Sequence, residues 1–131
     1  MPASTYLANK IANHVYRNTS YTSPTTVYAA LFTSTATLAE LKAGTLTNEV
    51  AGSSYARVAV TFAAPTDGDA GATTVTFPTA TAGWGAVRFV AIMDAATAGN
   101  VLTYAQNSSD VTVNSGNTYQ YNTSALSETV D

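Results

Sequence analysis

The feature that most restricts the fold is an alternating run of side chains within residues 48–65. One parity consists of Ala56, Val58, Val60 and Phe62, and the other of Tyr55, Arg57, Ala59 and Thr61. A period of two is typical of a β-strand with one buried face, so the run predicts a central strand with its other face available. The polar segment before it, residues 48–54, holds an isolated Glu49, and Pro65 is expected to end the ladder.

A helix is predicted at the start of the chain. Ser4 is a suitable N-cap, and the helix is expected to run to about Arg17 because Leu7, Ile11 and Val15 recur at intervals of four, with Ala8 and Ala12 beside them. An isolated helix of this length is marginal in water. Its apolar stripe is therefore expected to lie on the body of the domain or on a neighbouring subunit.

The remaining segments predict an all-β fold. Residues 27–33 read as a strand covered on both faces, residues 84–93 as a second central strand, and residues 38–42 as a short helix with Gly44 as its C′ residue. Shorter strands are predicted at residues 73–77, 101–105, 111–113 and 118–121, with turn chemistry between them and hairpin loops at residues 94–100 and 114–117. The predicted fold is an antiparallel β-sandwich, jelly-roll-like, with an N-terminal α-helix.

The length of 131 residues predicts one domain. Residues 1–20 form the helix and connector, residues 24–123 the sandwich, and residues 124–131 a C-terminal arm or a last edge strand. Only 10% of the residues are charged, against roughly 25% in an average soluble domain. Such a surface can be covered without burying ions, which points modestly to a chain that lives in an assembly and fits an ordinary Thr-rich domain equally well.

Several classes of function are disfavoured by composition. The five basic residues are scattered and the net charge is −3, so no nucleic-acid footprint is present. There is no cysteine, no signal-peptide layout and no run of 18 apolar residues, so neither disulfides, export nor a membrane anchor is expected.

Catalytic and metal chemistry is also expected to be absent. His14 is the only histidine in the chain and has no carboxylate near it in sequence to orient it. Asp67 and Asp69 flank Gly68 like a fragment of a calcium loop, but the ligands that would complete the loop do not follow. No glycine loop opens into a helix, and Ser53 and Ser54 lie in no nucleophile motif, so we predict no enzyme activity, no cofactor and no metal site.

Two arginines stand out because each interrupts an apolar strand. Arg57 and Arg88 are expected either to pair with a carboxylate inside the fold, to pair across a subunit boundary, or to contact a ligand, with Glu49 and Asp94 as the nearest acidic partners in sequence. The tyrosines are further candidates for interface positions, since the ring buries area while the hydroxyl stays hydrated.

Five segments, in this order, carry a resemblance to a known family. They are LANKIANHVYR, SYTSPTTVYAALFTS, NEVAGSSYARVAV, FPTATAGWGAVRFVAIMD and AGNVLTYA, which together span Tyr6 to about Ala105. This succession is similar to a family of small tailed-phage virion proteins, many of which are called phage tail fibre proteins. The resemblance implies a β-sandwich virion component, made in the host cytoplasm, without enzyme activity or cofactor.

Within that class, a small cysteine-free sandwich with a free helix suits a subunit on a shell better than a long shaft. We therefore expect a capsid decoration, or cement, protein, a homotrimer on the exterior that binds the major capsid protein by many repeated contacts. A tail fibre or baseplate attachment component, bound to tail proteins, is the alternative. A carbohydrate-binding sandwich with Trp84 or Tyr55 as a stacking platform is the third. The expected contact residues are Tyr6, Lys10, His14, Arg17, Glu49, Tyr55, Arg57 and Arg88.

Overall fold

The computed structural model of the protein describes residues 1–52 and 54–130. Ser53, in the predicted polar segment, and Asp131, at the end of the predicted arm, lie outside the described residues. The described residues form two helices and eight strands: α1 Thr5–Tyr16, β1 Val27–Thr33, α2 Leu38–Ala43, β2 Val58–Val60, β3 Asp69–Gly71, β4 Val75–Thr76, β5 Gly85–Met93, β6 Val101–Val113, β7 Gln120–Tyr121 and β8 Ser127–Thr129.

The strands pair in antiparallel fashion. β2, β1, β5 and β6 form a four-stranded sheet in that order, while β3 pairs with β8 and β4 pairs with β7. A core that includes Leu31, Val90 and Ile92 of the large sheet packs against Val75 and Phe77 on the side of the small sheets. The all-β, antiparallel, sandwich-like class with an N-terminal helix is thus confirmed.

The opposite face of the large sheet is covered by the segment that contains α2. Phe32, Phe89 and Met93 point to this side and pack with Leu41 of the helix. β1 and β5 are buried on both faces for this reason, as their continuous apolar sequences predict. Both strands occupy the centre of the sheet, which confirms their predicted positions.

Capping residues set the helix ends, of which Ser4 and Gly44 were predicted and Thr37 was not. In α1 the Ser4 hydroxyl accepts a hydrogen bond from Leu7 N at 3.1 Å. In α2, Thr37 and Glu40 form a reciprocal capping box, and Gly44 ends the helix with φ +86°, a conformation that glycine adopts without strain.

α1 is fixed to the edge of the large sheet by the residues before it. Ser4 N donates to Leu102 O at 2.8 Å, and Tyr104 N donates to Pro2 O at 3.2 Å, so the chain start adds to β6. The Ser4 hydroxyl also donates to Val101 O, and Ser4 is fully buried. One residue therefore caps the helix and attaches it to the sheet.

The strand predicted at residues 55–62 is wrong in position and extent. Only Val58–Val60 is strand, and it lies at the edge of the sheet rather than in its centre. The reason is that the two residues meant for the free face, Tyr55 and Arg57, turn inward to bond other parts of the chain. Their hydrogen bonds compete with continuation of the ladder.

Three further strand predictions need correction. β6 is one strand from Val101 to Val113 rather than two short ones: Gln106 still pairs with Phe89, and pairing with β5 resumes at Val111 after a register shift at residues 107–110. β7 pairs with β4 and not with the preceding strand, so residues 114–117 carry the chain to another sheet instead of forming a hairpin. Asp69–Gly71 lies in a predicted connector but pairs with Ser127–Thr129 of the tail.

Candidate functional site

Three of the expected contact residues come together beside the end of β1. We call Glu49, Tyr55 and Arg57 the Arg57 cluster. Glu49 is brought there because residues 48–50 continue the edge of β1 beyond β2: Thr33 N donates to Asn48 O at 3.0 Å, and Val50 N donates to Leu31 O at 2.9 Å. Tyr55 and Arg57, which precede β2, both reach the Glu49 carboxylate.

Arg57 forms a two-pronged ion pair with Glu49. Its Nε lies 2.7 Å from Glu49 Oε1, and its Nη2 lies 2.7 Å from Glu49 Oε2. Nη1 donates to the carbonyl oxygens of Ala95 and Ala98 at 2.8 and 2.7 Å. The Arg57 side chain is only 4% exposed and that of Glu49 17%, so the pair is shielded from water.

Tyr55 completes a gap in the hydrogen-bond ladder of β1. Leu31 N falls between the part of the edge paired with β2 and the part paired with residues 48–50, and it donates to the Tyr55 hydroxyl at 2.9 Å. The hydroxyl in turn donates to Glu49 Oε1 at 3.1 Å. A buried backbone N–H that would otherwise lack a partner is satisfied in this way.

The electrostatics of the Arg57 cluster hold its charges in place. The hydrogen bonds that Arg57 donates to the Glu49 carboxylate raise the pKa of its guanidinium. Burial, with the nearby Glu49 charge, raises the pKa of the Tyr55 hydroxyl, so Tyr55 stays neutral and acts as donor and acceptor. An open cavity of about 460 Å³ lies against the cluster and residues 96–98.

The Arg57 cluster is an internal contact that joins two parts of the chain, rather than a surface that is free to bind a ligand. The guanidinium joins residue 49 to the loop at residues 95–98, and the Glu49 carboxylate already accepts three hydrogen bonds. Of the alternatives for Arg57, the structure shows pairing inside the fold, with Glu49.

The other four expected contact residues are Tyr6, Lys10 and His14 of α1 and Arg17, which follows it, and each contacts its own chain. Lys10 Nζ sits 5.5 Å from the centre of the Tyr6 ring. His14 Nδ1 accepts a hydrogen bond from Tyr21 N at 3.2 Å, and Arg17 Nη1 donates to Asn13 Oδ1 at 3.2 Å. His14 thus ties the connector back to the helix, and among the described residues no carboxylate pairs with it.

Arg88 is remote from the Arg57 cluster and pairs with neither of the two predicted acids. Its Nη1 lies 3.4 Å from Asp110 Oδ1 on the adjacent strand β6. Both side chains are partly exposed, so this is a surface pair of small energetic value. Asp94 instead accepts from Asn100 N at 2.7 Å and from Asn100 Nδ2 at 2.9 Å, which closes the loop at residues 94–100.

The aromatic side chains proposed as a sugar platform pack against the core, Trp84 buried and Tyr55 half-buried. Trp84 is 5% exposed and packs edge-on against Tyr55, with ring centres 5.4 Å apart. Tyr55 also stacks with the buried Phe77 at 6.4 Å. These rings belong to the core, and the carbohydrate-binding alternative therefore loses the two residues on which it depended.

The acidic turn at residues 67–69 is a turn within the fold. Asp67 and Gly68 have φ values of +52° and +81°, and Asp69 Oδ1 accepts from the Thr129 hydroxyl at 2.9 Å. Across residues 1–52 and 54–130, no group of three or more acidic, histidine or cysteine side chains is arranged to hold a metal. Neither helix in that part of the chain is long and apolar enough to span a membrane.

A second region, which the sequence reading described only in part, lies around α1. The exposed side of the helix carries Ala8, Ile11, Ala12, Val15 and Tyr16. Ile11 also lines an apolar groove of about 390 Å³ whose other walls include Leu7, Phe62, Leu102 and Val130, with Glu128 among them. The groove was not predicted, because its walls combine both ends of the chain with residues from the middle of the sequence.

The comparisons with known proteins point to one family. The family model described as podophage GP4 fiber I protein gp80 matches residues 2–129. No curated protein matches this chain.

Proposed function

The chain belongs to the family of podophage GP4 fiber I protein gp80, and from that premise we propose that it is a non-enzymatic subunit of a podophage tail fibre or of its attachment to the tail. The match carries the proposal because it covers residues 2–129 of a chain of 131 residues. The subunit contributes adhesion to other virion proteins.

The geometry supports a subunit that works through assembly. The charged groups of the Arg57 cluster are paired with each other inside the fold. In contrast, α1 exposes large apolar side chains: Ile11 is 44% exposed, Val15 60% and Tyr16 83%. A contiguous exposed apolar face of this kind is typical of an interaction site. Tail proteins and further copies of the chain are the proposed partners, and the homotrimer expected from the sequence stays a prediction.

The capsid decoration role, which the sequence analysis placed first, is now the weaker proposal. It rested on small size and on the lack of a shaft, and both properties also fit a short fibre or an adaptor. The word fiber in the family description supports the tail alternative. The major capsid protein would be the partner only under the decoration reading.

The deciding experiment is immunogold labelling of intact phage particles with an antibody raised against the purified chain. We expect gold at the tail or at the tail vertex in most labelled particles. An antibody against the major capsid protein, used on the same grid, marks the head as a reference. Gold distributed over the head surface would overturn the fibre proposal in favour of decoration.

A complementation experiment gives an independent readout. Particles assembled without this protein are expected to keep intact, DNA-filled heads but to adsorb poorly to host cells, with adsorption restored by adding the purified chain. A decoration protein would behave differently, because its absence would release DNA on heating while adsorption stayed normal. Unchanged adsorption in its absence would contradict the fibre role.

A further inference from the structure

α1 carries a complete amphipathic pattern on the side that the protein leaves uncovered. Ala8, Ile11, Ala12, Val15 and Tyr16 are spaced at i, i+3, i+4, i+7 and i+8, which places them on one face of a helix. All five are exposed. In a surface helix such a face normally packs on the core, whereas here Val15 and Tyr16 are exposed and Ile11 lines the open groove.

The chemistry of this face indicates what covers it. The face contains no charged residue, and the basic side chains of α1, Lys10 and Arg17, lie outside it with contacts to their own helix. Two copies of the same face can therefore meet without opposing like charges. Ala8 and Ala12, one turn apart, let two helix axes approach to about 8 Å, the close end of helix packing distances.

An antiparallel arrangement also gives Tyr16 a place. If two α1 helices cross with Ala12 opposite Ala12, Tyr16 of one copy lies opposite Ala8 of the other, about 6 Å along the axis from the crossing point. Ala8 is next to Leu7, which lines the apolar groove. The groove also holds the Glu128 carboxylate, whose Oε1 accepts from the Thr103 hydroxyl at 2.7 Å and which offers an acceptor to a tyrosine hydroxyl.

We propose that the face formed by Ala8, Ile11, Ala12, Val15 and Tyr16 is a self-association surface, on which a second copy of this chain docks its own α1 antiparallel and sets its Tyr16 over the groove. The contact is isologous and gives a two-fold dimer, so the measured mass of the assembly distinguishes it from the homotrimer predicted from the sequence. A second copy of the chain is thus the proposed partner of α1. This proposal rests on the proposed function only because that function requires assembly.

Cysteine cross-linking tests the docking directly, since the chain contains no cysteine. Ala12→Cys places the new thiols opposite each other at the two-fold axis, so mild oxidation of the purified full chain is expected to give a covalent dimer. Ala39→Cys is the matched control, an exposed alanine on α2. Mixing Ala8→Cys with Tyr16→Cys protein is expected to give the mixed dimer, which fixes the antiparallel direction.

Sedimentation over a range of concentrations measures the same contact without a cross-link. The wild-type chain is expected to show a monomer–dimer equilibrium, and Val15→Gln and Tyr16→Ala to weaken association by roughly tenfold or more. Ala39→Gln is expected to associate as the wild type does. Circular dichroism confirms that each variant is folded.

Each contrary result overturns the inference. These are a wild-type chain that stays monomeric at the highest concentration, a trimer by mass, Ala12→Cys protein that cross-links no faster than Ala39→Cys, or face variants that associate like the wild type. The tail-labelling experiment is separate. Gold at the tail together with a monomeric chain would remove this contact and leave the fibre proposal standing.

Discussion

The Arg57 cluster and the exposed face of α1 use their side chains in opposite ways. The cluster is charged, buried and satisfied, with Arg57 held by Glu49 and by two backbone carbonyls. The face of α1 is apolar and exposed, with Tyr16 83% accessible. The chain has few charged residues, and those of the Arg57 cluster hold loops together. The apolar side chains of α1 remain exposed and available to partners.

This difference reverses the usual guess about contact residues. Charged and aromatic side chains in a loop attract attention as binding groups, but a buried ion pair keeps its value only while both partners stay together. An uncovered apolar helix face gains free energy when a partner removes it from water. The predictions below test each side of this contrast, beginning with the largest effect.

Arg57→Met is expected to lower the free energy of unfolding by about 3 to 5 kcal/mol, because it leaves the Glu49 carboxylate and two carbonyls without their donor. Urea denaturation followed by tryptophan fluorescence measures it. Arg88→Met, which breaks the exposed pair with Asp110, is the control and should cost less than about 1 kcal/mol. Equal losses of unfolding free energy in the two variants would show that the Arg57 cluster stabilises the fold no more than the exposed pair does.

Tyr55→Phe is expected to cost about 2 kcal/mol, since Leu31 N loses the hydroxyl that satisfies it inside the core. Ring packing on Phe77 and Trp84 is kept, so the loss reports the hydroxyl alone. Tyr104→Phe is a matched control, because Tyr104 is 7% exposed and its hydroxyl has no hydrogen bond within the part of the chain that the structure covers. A near-zero effect of Tyr55→Phe would mean that water replaces the hydroxyl.

The sequence predicted the elements whose signals are local. β1 was placed from its apolar run, α1 from Ser4 and the four-residue repeat, and α2 from Gly44. Periodicity and capping act over a few residues, so they survive almost any tertiary context.

Predictions failed where distant residues decide the outcome. The alternation at residues 55–62 indicated a strand, but Tyr55 and Arg57 gain more from bonds to Leu31, Glu49 and the loop at residues 95–98. Arg88 meets Asp110 at the register shift between β5 and β6, a local irregularity that alternation along either strand does not reveal. The groove beside α1 joins residues 1–11 to residues 128–130, and no short window contains both.

Ser4→Ala is expected to cost about 1 kcal/mol and to loosen α1 more than the sheets, because the hydroxyl both caps the helix and donates to Val101 O. Amide hydrogen exchange should show faster exchange along Thr5–Tyr16 with little change in β1 and β5. Thr5→Ala, at the exposed neighbouring residue, is the control. Unchanged exchange in α1 would show that the helix is held by its packing and not by Ser4. The start of α1 would then not be the point that attaches the exposed helix to the sheet.

Glu128→Gln is expected to have the smallest effect, and the difference from the wild type is expected to depend on pH. Burial raises the pKa of the Glu128 carboxyl, so between its ordinary value of 4.5 and the raised value the folded protein holds more protons than the unfolded chain. Ionisation of Glu128 therefore removes stability as pH rises through that window. As the pH rises, the free energy of unfolding of the wild type should fall relative to that of Glu128→Gln. The expected difference is less than about 1 kcal/mol, because solvent screens the partly buried group. Paired urea titrations at pH 4 and pH 7 measure the difference. If the wild type became more stable relative to the variant as the pH rises, the amino terminus and Thr103 would lower the pKa of Glu128 by more than burial in the groove raises it.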